Sequence, residues 1–169
     1  YGRNTITYVD GLGSWLQLGA CVTDAPPPDD ADWAEPRLLE RCERCTACLR
    51  ACPTGAIAGD RFLLHTERCL TFHNESHTPF PRWLEASVHH AAVGCLRCQQ
   101  ACPENHAAGL IEAEPESFDA QESEKILAAE TDENAWRDLG TATRQKLERC
   151  GLDYLPGVTA RNLRLLLEG

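Results

Sequence analysis

Cys42-Glu43-Arg44-Cys45-Thr46-Ala47-Cys48-Leu49-Arg50-Ala51-Cys52-Pro53 is the stretch that decides this chain. Its cysteines are separated by two, two and three residues, and a proline follows the last. Three thiolates on so tight a loop can wrap three irons of one cubane, while the loop's amides turn toward the sulfides. The fourth thiolate, Cys52, is pushed away from that loop. Pro53, with a fixed φ and no N–H, directs the exit of the chain.

A second, shorter run follows at Gly94-Cys95-Leu96-Arg97-Cys98-Gln99-Gln100-Ala101-Cys102-Pro103. It repeats the final C-x2-C-x3-C-P portion and lacks the first cysteine. Cys69, alone between the runs, supplies the missing ligand. The spacing is that of bacterial ferredoxins, in which the cysteine before the proline serves the other cluster. With that crossover, cluster one takes Cys42, Cys45, Cys48 and Cys102, and cluster two takes Cys52, Cys69, Cys95 and Cys98. The cofactors expected are therefore two 4Fe–4S clusters. Zinc is disfavoured, because it prefers separate C-x2-C pairs or Cys/His mixtures. Disulfides are disfavoured by the close spacing and by the lack of a signal peptide. Cys21 and Cys150 remain over and read as small packing residues.

The chain has 169 residues and a formal net charge of −10. Its length suits one domain, or one domain with an appendage. The negative balance argues against a nucleic-acid partner for this chain alone, since phosphate binding is dominated by Lys and Arg. No apolar run approaches a membrane span, so no membrane is expected and the cytoplasm is the expected location. Methionine is absent, which reads as a piece cut from something longer.

The expected class is α+β: a bacterial ferredoxin-like double-cluster core with an N-terminal β-hairpin and a C-terminal helical tail. Residues 1–25 read as the hairpin, with Thr5–Val9 and Trp15–Val22 as strands around the Asp10-Gly11 turn. A lone hairpin is marginal in water, so it is read as the end of a missing upstream domain. Residues 26–41 read as an acidic, proline-rich linker with a helical lead-in near Arg37–Arg41. Residues 42–110 form the double-cluster domain, with a small hairpin after Pro53, a short helix capped by Thr66 and a helix over 81–93. Residues 111–169 form the tail. Its helices are expected from Asp119 to Ala129, from Thr141 or Thr143 to Cys150-Gly151, and from Thr159 to Leu167. His73 and His77 do not make the H-E-x-x-H zinc helix; they, His89, His90 and His106 read as polar groups without a metal.

Several of these residues resemble the carboxy-terminal part of the epoxyqueuosine reductase family, which is akin in mechanism to reductive dehalogenases. The matching positions are Gly2-Arg3-Asn4, Gly13-Ser14-Trp15, Leu18-Gly19, Thr23-Asp24 and Cys42 to Ile57. Arg68-Cys69, Gly94-Cys95, Cys98-Gln99 and Cys102-Pro103 with Asn105 continue the match. Arg161-Asn162-Leu163 resembles the family's helical terminus only weakly. The resemblance implies the same crossover of ligands and an electron relay to a reductase centre in an upstream domain, where alone cobalamin would bind. It implies an electron-donor protein and that upstream or partner reductase domain as partners, and no catalytic residue in this chain. The alternative is a free-standing ferredoxin-type carrier without catalysis.

Overall fold

The computed structural model describes residues 1–26, 35–106 and 114–168. Half of the expected linker, 27–34, lies outside the described residues. The cysteine-bearing part is built from short pieces. Glu40–Glu43 is a 3-10 turn holding Cys42, and α1 (Ala47–Ala51) carries Cys48. A 3-10 turn, Thr66–Arg68, leads through Cys69 into α2 (Leu70–Asn74), and α3 (Arg97–Gln100) carries Cys98. Helices α1 and α3 pack on each other, which juxtaposes the two cysteine runs. Thr66 is no cap; Cys69 itself stands at the start of α2.

The tail is built from longer helices. Asp119 accepts from the Glu122 amide at 2.8 Å, and Glu122 returns the bond to the Asp119 amide, opening α4 (Ala120–Ala128) with a capping box. Short α5 (Glu133–Arg137) was not expected. Helix α6 (Thr141–Arg149) ends at Gly151, whose φ of 65° suits glycine after a helix. Helix α7 (Pro156–Glu168) starts three residues before Thr159, with proline at its first position. Ile126, Leu139 and Leu147 form the tail's core, with Phe118, Trp136, Leu152 and Leu163 packed on it.

The α+β class and the N-terminal hairpin are corrected by this structure: among the described residues there is no strand or sheet. The turn at Asp10-Gly11 forms, with Gly11 at φ 77°, and Val9 and Gly13 exchange both backbone bonds at 2.9 Å. Pairing stops there, because the next amide, Ser14, donates instead to Asn105 Oδ1 at 2.7 Å. The intended return strand has no partner, and Leu18 and Val22 are open to solvent. Cys21 is consequently exposed, and so is Cys150; neither is a packing residue.

Two local expectations inside the cluster region also change. After Pro53 there is no hairpin, only a bond from His65 N–H to Ala56 O at 2.7 Å. Ala56 and Ile57 are buried beneath it while Phe62 and Leu63 are exposed. Residues 81–93 are not a helix but a turn at Pro81 and a 3-10 turn at Ala86–Val88. The carbonyls of Ala91, Ala92 and Gly94 are taken by the amides of Asn74 and Asn162, and Trp83 stays half exposed.

Candidate metal centre

Burial pushes the Cys48 thiol up, and the neighbouring Cys42 and Cys102 push it further. Burial likewise raises Cys95, with Cys69 and Cys52 adding to the effect. Cys102 is thus beside residues more than fifty positions earlier in the chain, and Cys52 is beside residues of the later run. Cys98 is pushed up to about 11 by burial and then by Cys95, Cys48 and Cys52, while Asn4 opposes the shift. The influence of Cys48 on it places the two groups of thiols within electrostatic reach of one another. Cys45 lies half-buried on the loop between Cys42 and Cys48.

Cys52, Cys69, Cys95 and Cys98 line one cavity of about 330 Å3, together with Asn4, Ile57, Leu64 and Leu70. Among the described residues, no three His, Cys, Asp or Glu side chains converge as a single metal ion would require. Four thiols spread around a cavity suit a polynuclear group better than one ion. Their local environment also suits thiolates. Burial pushes Cys52 up, but the amides of Thr54, Ile57 and Ala56 and the Thr54 hydroxyl outweigh it and hold the thiol below its usual range. Ala56 N–H donates to Cys52 Sγ at 3.2 Å. Donors aimed at a sulfur stabilise its anion, the form that binds metal. Gly94 and Leu96, at φ 60° and 58°, twist the second loop so that the Arg97 amide meets Cys95.

The N-terminal segment braces this centre. Arg3 Nε donates to Cys42 O at 3.2 Å and Nη1 to Gly59 O at 3.3 Å. Ser14, Gln99 and Asn105 close a buried network: Gln99 Nε2 donates to Ser14 O at 3.0 Å, and Asn105 Nδ2 to Ser14 Oγ at 2.8 Å and Gln99 O at 2.7 Å. Gly13 makes this approach possible, since a β-carbon there would lie 2.3 Å from Asn105 Oδ1. The N-terminal residues that carry the family resemblance therefore act together, fastening residues 1–15 to the cysteine loops.

On the other side, α7 grips the segment between Cys69 and Cys95. Asn162 is wholly buried and donates to Asn74 O and Ala92 O, both at 2.8 Å. Arg161 donates to His73 O at 2.9 Å and lies over the Phe80 ring at 4.2 Å. The histidines are partly corrected. His77 and His106 are exposed, but His73 is buried, 2.9 Å from Glu67 O, and His89 is buried against Phe80. His90 Nε2 lies 3.1 Å from Cys95 O and 3.6 Å from its sulfur. Spacing along the chain held no signal for Asn74, Asn162 or His90.

Residues 41–105 match the family model described as a 4Fe-4S double cluster binding domain. Those residues are thus similar to iron–sulfur domains of that class. They are also similar to the corresponding part of epoxyqueuosine reductases. The chain is 33% identical to the epoxyqueuosine reductase of Staphylococcus aureus over 105 residues, 62% of this chain and 26% of that protein. It is 36% identical to that of a Synechococcus strain over 96 residues, 56% of this chain and 28% of the relative. In solved structures, the epoxyqueuosine reductase of Streptococcus thermophilus shares the fold, with a TM-score of 0.56 at 20% identity, covering 98% of this chain and 41% of that one. The chain spans about a quarter of the length of these curated relatives. Among the described residues, no helix is long and apolar enough to cross a membrane.

Proposed function

We propose that this chain is a two-cluster electron relay. Cys42, Cys45, Cys48 and Cys102 hold one 4Fe–4S cluster and Cys52, Cys69, Cys95 and Cys98 the other. The observation that carries the reading is the interleaving of thiols: Cys42 and Cys102 both act on the charge of Cys48, and Cys52 and Cys69 both act on that of Cys95, the last two joining Cys95 and Cys98 around one cavity. Bound clusters would supply reversible one-electron chemistry, and two neighbouring sites suit transfer better than a structural staple. The chain's own residues supply thiolates, amides directed at them and apolar lining from Ile57, Leu64 and Leu70. Every ligand position is a cysteine, so the sites suit electron transfer rather than substrate binding at iron.

The electrons would leave for a reductase centre in the remainder of a longer protein. By likeness to the relatives, that centre acts on an epoxide of the epoxyqueuosine kind and uses a cobalamin bound outside this chain. A reducing partner protein would supply the electrons. Anaerobic iron and sulfide analysis is expected to find about eight irons per chain. Four irons, or stoichiometric zinc, would overturn the reading. So would sustained turnover of an epoxide by residues 1–169 alone with a chemical reductant and free cobalamin, since that would make the chain a catalyst.

A further inference from the structure

The two groups of cysteines differ in what reaches their sulfurs. After Cys52 the chain turns back on itself: Gly55, at φ 63°, donates its N–H to Cys52 O at 3.4 Å, and Ala56 N–H then donates to Cys52 Sγ at 3.2 Å. The Thr54 hydroxyl, on the same turn, lies 3.7 Å from that sulfur. His90 Nε2 lies 3.6 Å from Cys95 Sγ. Its ring is seated between Val88 O, 3.0 Å from Nδ1, and Cys95 O, 3.1 Å from Nε2. A metal-bound thiolate has no hydrogen of its own, so the hydroxyl and the imidazole N–H are the donors in these contacts. The equivalent positions of the other group are engaged elsewhere. His106 stands four residues after Cys102, as Ala56 does after Cys52, but its N–H donates to Pro103 O at 3.2 Å. Glu104 stands where Thr54 does and pairs with Arg41. Glu40 stands five residues before Cys45, as His90 does before Cys95, and is exposed. Among the described residues, no donor reaches Cys42, Cys45, Cys48 or Cys102 with hydrogen-bond geometry; the Leu49 amide acts on Cys48 from outside it.

We propose that the two cluster sites are unequal. The cluster held by Cys52, Cys69, Cys95 and Cys98 has the higher reduction potential, raised by Ala56, Thr54 and His90, and is where an electron settles before it leaves the chain. The inference rests on the relay reading and adds a direction to it. A reduced cluster carries one more negative charge than an oxidised one, so donors to its ligand sulfurs favour the reduced form. An electron on the Cys102 cluster therefore passes downhill to the other. The first cluster is oxidised as the second is reduced, one electron moves, and no bond forms or breaks. Thr54 and His90 act through Cys52 and Cys95 and are positioning residues. A threonine that only shaped the turn, or a histidine that only filled space, would leave the potentials alone.

The test is anaerobic redox potentiometry, read by electron paramagnetic resonance, on the full chain loaded with iron and sulfide. Fewer than two cluster signals in the wild-type protein overturns the relay reading and this inference with it. Two signals of equal potential overturn the inference alone. Cys95→Ser is expected to alter or remove the higher-potential signal, and Cys45→Ser the lower-potential one. The reverse assignment overturns the inference and leaves the relay standing; both variants acting on one signal overturns the ligand grouping as well. Thr54→Val keeps the shape of the side chain and removes its hydroxyl. It is expected to lower the higher potential only, while Thr54→Ser, which keeps a hydroxyl, holds it at the wild-type value. His90→Phe is expected to lower the same potential. If one of these variants does not load, the other decides; if neither loads, the wild-type order of potentials decides. Two assembled clusters with unmoved potentials in the variants that load overturn the proposal.

Discussion

The cluster-bearing part and the tail reach order by different routes. In residues 35–106 the buried apolar set is small: Cys42, Cys48, Ala56, Ile57 and Leu70, two of them thiols. Buried polar groups there are as prominent, with Thr54, His73, Asn74, His89 and Asn105 all enclosed. Its α-helices are four or five residues long, too short to hold themselves. The tail has helices of nine, nine and thirteen residues around Ile126, Leu139 and Leu147. Hydrophobic burial can stabilise the tail, whereas residues 35–106 rely on side chain–backbone bonds and, on the proposed function, on bound clusters. The two meet at Arg161 and Asn162, where a helix of the tail supplies hydrogen bonds to loops of the other part.

The largest effect should come from removing metal. Ligands bound only by the native state contribute their binding energy to folding. Oxidation or chelation is expected to open residues 42–102 to protease while the tail keeps its helical circular dichroism. A protease-resistant apo-protein would erase the contrast. Single ligand variants sharpen it: Cys102→Ala should lose the same cluster signal as Cys45→Ala, and Cys52→Ala the same as Cys98→Ala. Signals that group by sequence neighbourhood would contradict the interleaved scheme.

Leu147→Ala should act on the other side of the comparison. Leu147 is completely buried, and truncating such a leucine costs about 2–5 kcal/mol. The tail should melt earlier in a thermal scan while both cluster spectra persist. Asn162→Leu addresses the seam. It leaves Asn74 O and Ala92 O without their donor, at a cost of about 1–3 kcal/mol. Hydrogen exchange should rise in 70–94 and in α7 together; a rise confined to α7 would show that the two parts are not coupled there.

The smallest effects belong to the start of α4. Asp119→Ala should cost about 1 kcal/mol of tail stability in denaturant titration. Glu122 also titrates usefully. Lys146, at 2.7 Å, together with the Asp119 amide and the Thr143 hydroxyl, holds its carboxyl down at about 2, from an ordinary 4.5. A depressed carboxyl contributes stability that is present above its unfolded value and lost as pH falls through the folded one. The tail's melting temperature should therefore decline between about pH 5 and pH 2. Glu122→Gln should flatten that part of the profile.

The residues legible in the sequence were those whose role is set within a few positions of themselves. The cysteine runs declare their chemistry because thiolates on one tight loop must converge. The α4 cap and the Gly151 stop are likewise local, since a helix end is satisfied within a turn of chain. The sequence alone thus determined where the cysteine-rich site lies and that a helical tail follows it. The tertiary structure decided the rest, through partners far apart in the chain. Whether Thr5–Val22 becomes a ladder depended on where the Ser14 amide goes, and Asn105, 91 residues away, takes it. Residues 81–93 had helical spacing, yet Asn74 and Asn162 claimed their carbonyls, the latter from 70 positions off. A buried amide or carbonyl must be satisfied by whichever donor or acceptor the fold brings to it, and no pattern of spacing along the chain records which one arrives.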